Sequence, residues 1–480
     1  VTAATTLALL ATGIMACTTG GAGPVRRGRT VLFASGADLQ TINPLLAVHP
    51  LAKQVQKHVL LVTLARYDSA LVPRPYFARR WRWSDDRRTL TFDLHADLRW
   101  HDGAPTTARD VVWTLQAARD PATGYPRLAD LAAVQDVRPA GDATVIVRFA
   151  ARQSRFPDVL TDLAILPAHL LDTVPRTVLR RAAWNERPVG NGPFRFVAHE
   201  PNRRWVFARN AGFPQALGGA PALERLIVVV VDEPTTKLAA LASREIDFAG
   251  INPAHAAFVR RRQGLAVIEY PLLVTYGIVL NLRRPPFDDP SVRRAVALAI
   301  DRREIVDGYL YGFGVPAFGP VPPDLPGYLP PPQLESPDSA RALLGGRRVA
   351  FELLTVGSGE AALEQMIQAR LAAVGFDVRI RQLELSAYLE RVYGARPEFD
   401  AAVLGIQGDL ALGYLSQLAG LAGVVVPADA AAAQRVFAAE HAVAFLYHAR
   451  GVQGMNRRVS AVTMDLRGEL VTVSRWDVTE

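Results

Sequence analysis

Residues Arg82–Thr114 read RWSDDRRTLTFDLHADLRWHDGAPTTARDVVWT. Leu90, Phe92 and Leu94 alternate with Thr91, Asp93 and His95, the period of two of a half-buried strand. Ser84-Asp85-Asp86-Arg87 ahead of it is turn chemistry, so Trp81–Trp83 and Leu90–Leu94 are predicted to form a hairpin. A tight corner, Trp100-His101-Asp102-Gly103, follows. Thr107 stands three residues before Asp110, the spacing of a capping box. The hydroxyl takes a free N–H of the first helical turn, and the carboxylate reaches back to the cap. Val111, Leu115 and Ala118 give that helix its apolar stripe.

The chain around this stretch has 480 residues, enough for two or three domains. Half of them are hydrophobic, which supports a large core and argues against disorder. The net charge of +8 is carried by arginine, with lysine only at 53, 57 and 237. The longest basic run is Arg260-Arg261-Arg262 and no basic-aromatic platform accompanies it, so the charge reads as scattered surface arginine rather than a nucleic-acid face. Cys17 is the only cysteine, which excludes an internal disulfide. No run after the first residues is long enough to span a bilayer.

Thr30–Ser35 is predicted as a strand, Val55–Leu64 as a helix and Val145–Phe149 as a strand. Trp205–Arg209, Leu226–Val231 and Leu265–Tyr270 read as further strands. Pro234–Ser243 reads as a helix started by Glu233-Pro234, with Arg244 in a left-handed cap position. Tyr276–Leu280 is a strand ended by Asn281. Asp289 caps a helix with Pro290 in its first turn, and Asp301-x-x-Glu304 is a second capping box. Val349–Leu354, helix Glu360–Ala373 closed by Gly375, and Val378–Arg381 form a βαβ unit, continued by helix Ser386–Gly394 and strand Phe399–Leu404. A helix over Asp429–His441, the strand Ala444–Tyr447 and the segment Val471–Trp476 end the chain. Alternating strands and helices argue for an α/β lobe.

Chemistry of the catalytic kind is thinly represented. The histidines show no zinc-ligand spacing, and no nucleophile elbow, phosphate loop or dinucleotide fingerprint occurs. His101 reads as a structural turn residue ahead of a ligand. Gly357-Ser358-Gly359 reads as an αβ connection ahead of an anion cradle. Neither metal nor cofactor is implied, and no nucleophile–base pair supports an enzyme.

The opening string, from the Trp and the Ser-Asp turn through Thr-Phe-x-Leu and Trp-His-Asp-Gly to Thr-Ala-x-Asp-Val, resembles the signature of peptide/nickel-type solute-binding proteins of ABC importers, extracellular solute-binding protein family 5. Leu39–Pro44, Ile165–Leu171, Pro188–Phe194 and Asn281–Pro323 resemble further family segments. The resemblance implies an α/β, two-lobe periplasmic-binding-protein-like type II fold with an extra inserted domain. Its implied boundaries are a signal segment and tether over 1–29, lobe I over 30–60 with 190–270 and 455–480, the extra domain over 61–189, and lobe II over 271–454. Hinges fall near Tyr270-Pro271 and Gly451–Gly454.

The function it implies is capture of a small solute, a short peptide foremost, by closure of the lobes, and delivery to an ABC permease in the membrane by a monomeric protein outside the cytoplasm. The segment Leu7–Cys17 resembles a lipoprotein signal, with Cys17 lipidated and the protein held at the membrane surface. An ordinary signal peptide with an incidental cysteine is the other reading. In Gly405-Ile406-Gln407-Gly408-Asp409, Asp409 stands where the family places an acid for a ligand ammonium, with Gln407 beside it; a solvated loop aspartate is the plainer reading. Ile406 occupies the place of an aromatic, and the chain after Asp409 is shorter than the family pattern. Tyr125, Asn43, Tyr276 and Asn281 are implied wall residues, each with a structural role as the alternative. A surface scaffold or sensor with a degenerate cleft is the competing function.

Overall fold

The computed structural model describes residues 28–332, 335–394 and 396–479. Cys17 and the apolar segment before it lie outside the described residues.

The predicted hairpin forms, with Ala78–Trp83 antiparallel to Thr89–Leu94. The hydroxyl of Ser84 accepts the Thr89 N–H at 2.9 Å and closes the turn. Thr144–Phe149 and Val134–Pro139 extend the hairpin to a four-stranded antiparallel sheet. Leu90, Phe92, Val145 and Val147 are buried on one face of it. The helix Ala108–Arg119 packs there, and the Thr107 N–H donates to Asp110 at 2.8 Å in a complete capping box. The cap also works at long range. Asp110 accepts the Ala168 N–H at 2.8 Å, and Thr114 accepts the Leu166 N–H at 2.9 Å.

The glycines of Pro188–Phe194 serve a close approach. The N–H groups of Asn191 and Gly192 both donate to the Leu60 carbonyl, at 3.1 and 2.8 Å. A Cβ on Gly190 would sit 2.1 Å from that oxygen, so no other residue fits without moving the backbone.

The larger sheet joins both halves of the molecule. Its order is Phe376–Leu383, Val349–Val356, Ala401–Gln407, Leu265–Leu280, Val443–Asn456, Phe248–Gly250, Thr30–Ser35, Arg225–Val230, Arg204–Arg209 and Phe194–Glu200, with Gly314–Pro316 paired to Val443–Asn456. The βαβ unit is parallel, Val349–Val356 running beside Phe376–Leu383. Two apolar clusters, around Leu353 and Leu354, cover the two faces of the sheet at one end. At the other end a continuous cluster runs from Val31 and Phe33 through Leu90 and Phe92. The four-stranded sheet therefore shares the core of the first lobe.

Among the described residues two strands pass between these cores. Leu265–Leu280 has 16 residues and Val443–Asn456 has 14. They pair antiparallel along both halves, and the register breaks between Pro271 and Thr275.

Two expectations are revised, and one segment left open is now defined. Leu265–Tyr270 and Tyr276–Leu280 are one strand, because both halves pair with the same partner across the break. The helix expected over Val55–Leu64 begins at Pro50 and ends at Leu60 in a π-helical turn, capped by His49 with Pro50 at its first position. Val471–Trp476 holds a single 3-10 turn, Val473–Arg475. Trp476 is buried there and stacks on Phe248 at 4.6 Å. Elsewhere the local signals hold. Asp289 caps Pro290–Ala299 through the Ser291 N–H at 2.8 Å, and Arg244 adopts φ +63°. Asp301 accepts the Glu304 N–H at 2.8 Å, but the Glu304 carboxylate turns to Arg370 rather than completing its box.

Both ends of the described chain lie on the first lobe. Arg29 pairs with Asp477 at 2.8 Å, and Arg458 donates to the Thr30 carbonyl at 2.6 Å. The Arg458 guanidinium also holds the fully buried Asp247 through two bonds of 2.7 Å.

Candidate functional site

The crossover sets the geometry of the site. Proline at 271 offers no N–H to the ladder, and pairing resumes only at Thr275. The ring of Tyr270 lies over Gly451, directly opposite, where a Cβ would come within 2.1 Å of it. Tyr270 also donates its hydroxyl to the half-buried Glu469 at 2.5 Å. On the far side of the break, Thr275 meets His448 at 2.9 Å. His448 is almost fully buried, and burial pulls its imidazole down to about 4, with Arg450 adding to the effect.

Tyr276 follows at once. Its neighbours in register are Gly405 on one side and Tyr447 on the other, and the Tyr276 and Tyr447 rings stack at 4.8 Å, 17° apart. Gln407 ends the adjacent strand, is exposed, and donates to the Leu273 carbonyl at 3.1 Å within the unpaired stretch. Thus Gln407, Tyr276 and the Gly405-containing strand end are brought together at the crossover.

Asp409 lies just beyond, half-buried. Its carboxylate accepts three backbone N–H groups, from Ala411 at 2.8 Å, Gly413 at 3.1 Å and Tyr414 at 2.9 Å. It organises the loop into the helix Tyr414–Ala422. The Tyr414 hydroxyl donates to the Pro320 carbonyl at 2.8 Å, which ties this loop to the Pro-rich segment.

Asn43 and Asn281 are polar but committed inward. Asn43 is fully buried, donates to Asn185 at 2.8 Å and accepts the Leu45 N–H at 3.0 Å. Asn281 donates to the Phe399 carbonyl at 3.0 Å and accepts the Arg283 N–H at 3.2 Å. Tyr125 is buried away from the crossover, in a small recess with Pro44, Lys53, Gln56 and Asp162. Burial pushes its hydroxyl pKa up, reinforced by Asp162. Burial would raise Asp162 as well, but Lys57 at 2.7 Å and Arg127 at 2.8 Å hold it well below the usual carboxylate range. His101, as a turn residue, donates its Nε2–H to the Gly192 carbonyl at 3.0 Å.

Residues that the sequence reading passed over line the same end of lobe II. Tyr447 becomes visible only when the register of the long strands is known. Thr355 and Glu364 meet at 2.6 Å across the βα loop of the βαβ unit. A buried acid in a helical first turn reads as a cap when seen in sequence alone.

Among the described residues no three His, Cys, Asp or Glu side chains are placed to hold a metal ion. Among them, too, no helix is long and apolar enough to cross a membrane.

Residues 72–417 match the model of the bacterial extracellular solute-binding proteins, family 5 Middle. A Brucella ovis protein with an ABC-transporter peptide-binding name is 29% identical over 347 residues, 69% of this chain and 64% of its own length. The dipeptide-binding protein of Escherichia coli is 26% identical over 369 residues, 70% of this chain and 68% of its own. The chain thus spans about 64% of the length of the first of these relatives. Among solved structures, the ABC transporter substrate-binding protein CtaP of Listeria monocytogenes superposes with a TM-score of 0.82 at 19% identity, covering 94% of this chain and 99% of that one. These structures share the type II two-lobe fold.

Proposed function

The chain belongs to the bacterial extracellular solute-binding proteins of family 5, and from that premise we propose that it is the substrate-binding component of an ABC importer. It takes a short peptide into the cleft between its lobes and presents it to a membrane permease. The observation that carries this reading is the pair of crossing strands, broken in register at Pro271–Thr275, as the link between two separately packed cores. Two cores joined by such a break can swing, and ligand contacts to both favour the closed arrangement.

The lobes of this proposal are 30–60 with 190–270 and 455–480, and 271–454, with 61–189 as the extra domain of the first. Gln407, Asp409 and Tyr276 form the wall on the lobe II side. Asn43 and Asn281 shape the walls from within, and Tyr125 stiffens the lobe I side. The protein works as a monomer outside the cytoplasm, with Cys17 as the point of lipid attachment, and releases its ligand chemically unchanged. Peptide as the ligand class is supported by the names of the curated relatives, the di/tripeptide-binding protein 2 of Pseudomonas aeruginosa among them.

A second reading, a surface scaffold with a degenerate cleft, is favoured by one observation, the commitment of both Asp409 oxygens to backbone donors. Thermal shift against a di- and tripeptide library, followed by small-angle scattering with each stabilising peptide, separates the two. Import predicts stabilisation and a smaller radius of gyration. An unchanged radius with a bound peptide would sink closure, and stabilisation by no peptide would favour the scaffold.

A further inference from the structure

Glu364 is a buried carboxylate with no counter-ion among the described residues. It stands in the first turn of the helix Ala362–Ala372 and is 8% exposed. One oxygen accepts the Thr355 hydroxyl at 2.6 Å. Among the described residues no other hydrogen bond and no Lys, Arg or His reaches it. A carboxylate so withdrawn from water ordinarily has a charged partner, because desolvation without one is costly.

Its surroundings are aromatic. The turn Ile305–Tyr309 packs against both the helix Ala362–Ala372, which carries Glu364, and the strand Val443–Asn456, which carries Tyr447; burial first, and then the field of Glu364, raises the Tyr309 hydroxyl pKa. Tyr447 carries the stacked Tyr276. Tyr309 is 39% exposed and forms the open side of the cluster. Gly405 lies beside Tyr276 in register and has no side chain to cover that ring. Thr355, Gly405 and Tyr276 occupy the ends of neighbouring strands next to the register break, which is the end of lobe II that faces lobe I. Asp409 offers a contrast, since its two oxygens are already shared among backbone donors.

We propose that Glu364, flanked by Tyr276, Tyr309 and Tyr447, is the subsite for a cationic group of the captured solute, an ammonium or a guanidinium. Carboxylate and ring faces together suit a cation, the first by a charge-assisted hydrogen bond and the second through their quadrupoles. An anionic group would meet a charge of its own sign. The inference rests on the solute-binding reading and adds to it a ligand feature and the residue that reads it.

The test uses the isosteric variant E364Q, whose amide oxygen still accepts the Thr355 hydroxyl, and Y309L, at a part-exposed position. Each is checked for an unchanged far-ultraviolet spectrum. The probes are the tripeptides Ala-Lys-Ala, Ala-Arg-Ala and Ala-norleucine-Ala, and methylguanidinium alone, followed by calorimetry and by tyrosine fluorescence. The expected result is at least a tenfold loss of affinity for the cationic tripeptides in E364Q, a smaller loss in Y309L, and a change within twofold for the norleucine peptide. Equal losses for all three peptides, or none, would overturn the subsite. If the wild-type chain binds no tripeptide, methylguanidinium decides. A response that E364Q abolishes keeps the subsite while the peptide reading falls, and a response indifferent to E364Q removes the subsite.

Discussion

The capped corner around Trp100–Asp110 and the strand crossover around Pro271–Thr275 are both densely hydrogen-bonded, but over different distances along the chain. The corner is closed first by its near neighbours, Gly103 to Trp100, Trp100 to Ala104 and Thr107 to Asp110, with Ala168 and Gly192 joining from farther along the chain. The crossover is held by partners far away in sequence, Leu273 by Gln407 and Thr275 by His448. A motif closed mainly by near neighbours depends less on what surrounds it. A junction assembled from distant strands keeps its shape only while those strands stay in register, and it is the hinge that the proposed closure uses.

The sharpest way to break this comparison is to cut the distant anchorage. Asp247→Ala leaves the Arg458 guanidinium without its buried partner at the lobe I end of the crossing strand. Its expected cost is about 3–5 kcal/mol in urea unfolding; a loss under about 1 kcal/mol would mean that the strand is held by pairing alone.

Acid probes both regions at once, since each contains a histidine that burial pulls to about 4 from its ordinary 6.5, His101 in the corner and His448 at the crossover. Below pH 6.5 the unfolded chain binds protons that the folded chain refuses, so stability falls as pH drops from 6.5 towards 4. For the nearly fully buried His448 the loss is on the order of 2–3 kcal/mol. For the less buried His101 it is smaller. His448→Gln should flatten the slope of stability against pH in that window, and an unaltered slope would show that His448 titrates normally.

Gly451→Ala places a methyl group against the Tyr270 ring. The expected cost is about 1–3 kcal/mol, accompanied by altered scattering with ligand; normal stability and normal closure would remove Gly451 from the bending region. The smallest effect belongs to the corner. Thr107→Ala should cost about 1 kcal/mol, the usual value of a lost N-cap, and leave ligand response intact. A change in ligand affinity there would erase the distinction between the two regions.

The same contrast governs how much could be read from the amino acids. The hairpin, the capping box, the Asp289-Pro290 helix start and the left-handed Arg244 all depend on residues within a few positions of each other. The resemblance of Arg82–Thr114 and Asn281–Pro323 to family 5 segments carried the fold. The continuity of Leu265–Leu280 was hidden because Pro271 argues against an interior strand. It is tolerated only because the register breaks there, which depends on a partner strand that begins at Val443. The roles of Asn43 and Asn281 were hidden for a related reason. An asparagine after a strand looks alike whether its amide faces a ligand or, as for Asn281, a carbonyl at Phe399. Glu364 is the converse, a residue with the sequence dress of a helix-start acid whose lack of a cationic partner among the described residues appears only in three dimensions.

Tyr276 and Tyr447 sit side by side where the chain passes into lobe II and where it returns. Everything from Gly277 to Leu446 therefore hangs from two adjacent backbone positions, while both ends of the described chain stay stitched to lobe I. Genetic exchange with breakpoints at those two positions would swap that whole segment between relatives in a single event, like a cartridge, and the seam would cross the paired strands Leu265–Leu280 and Val443–Asn456.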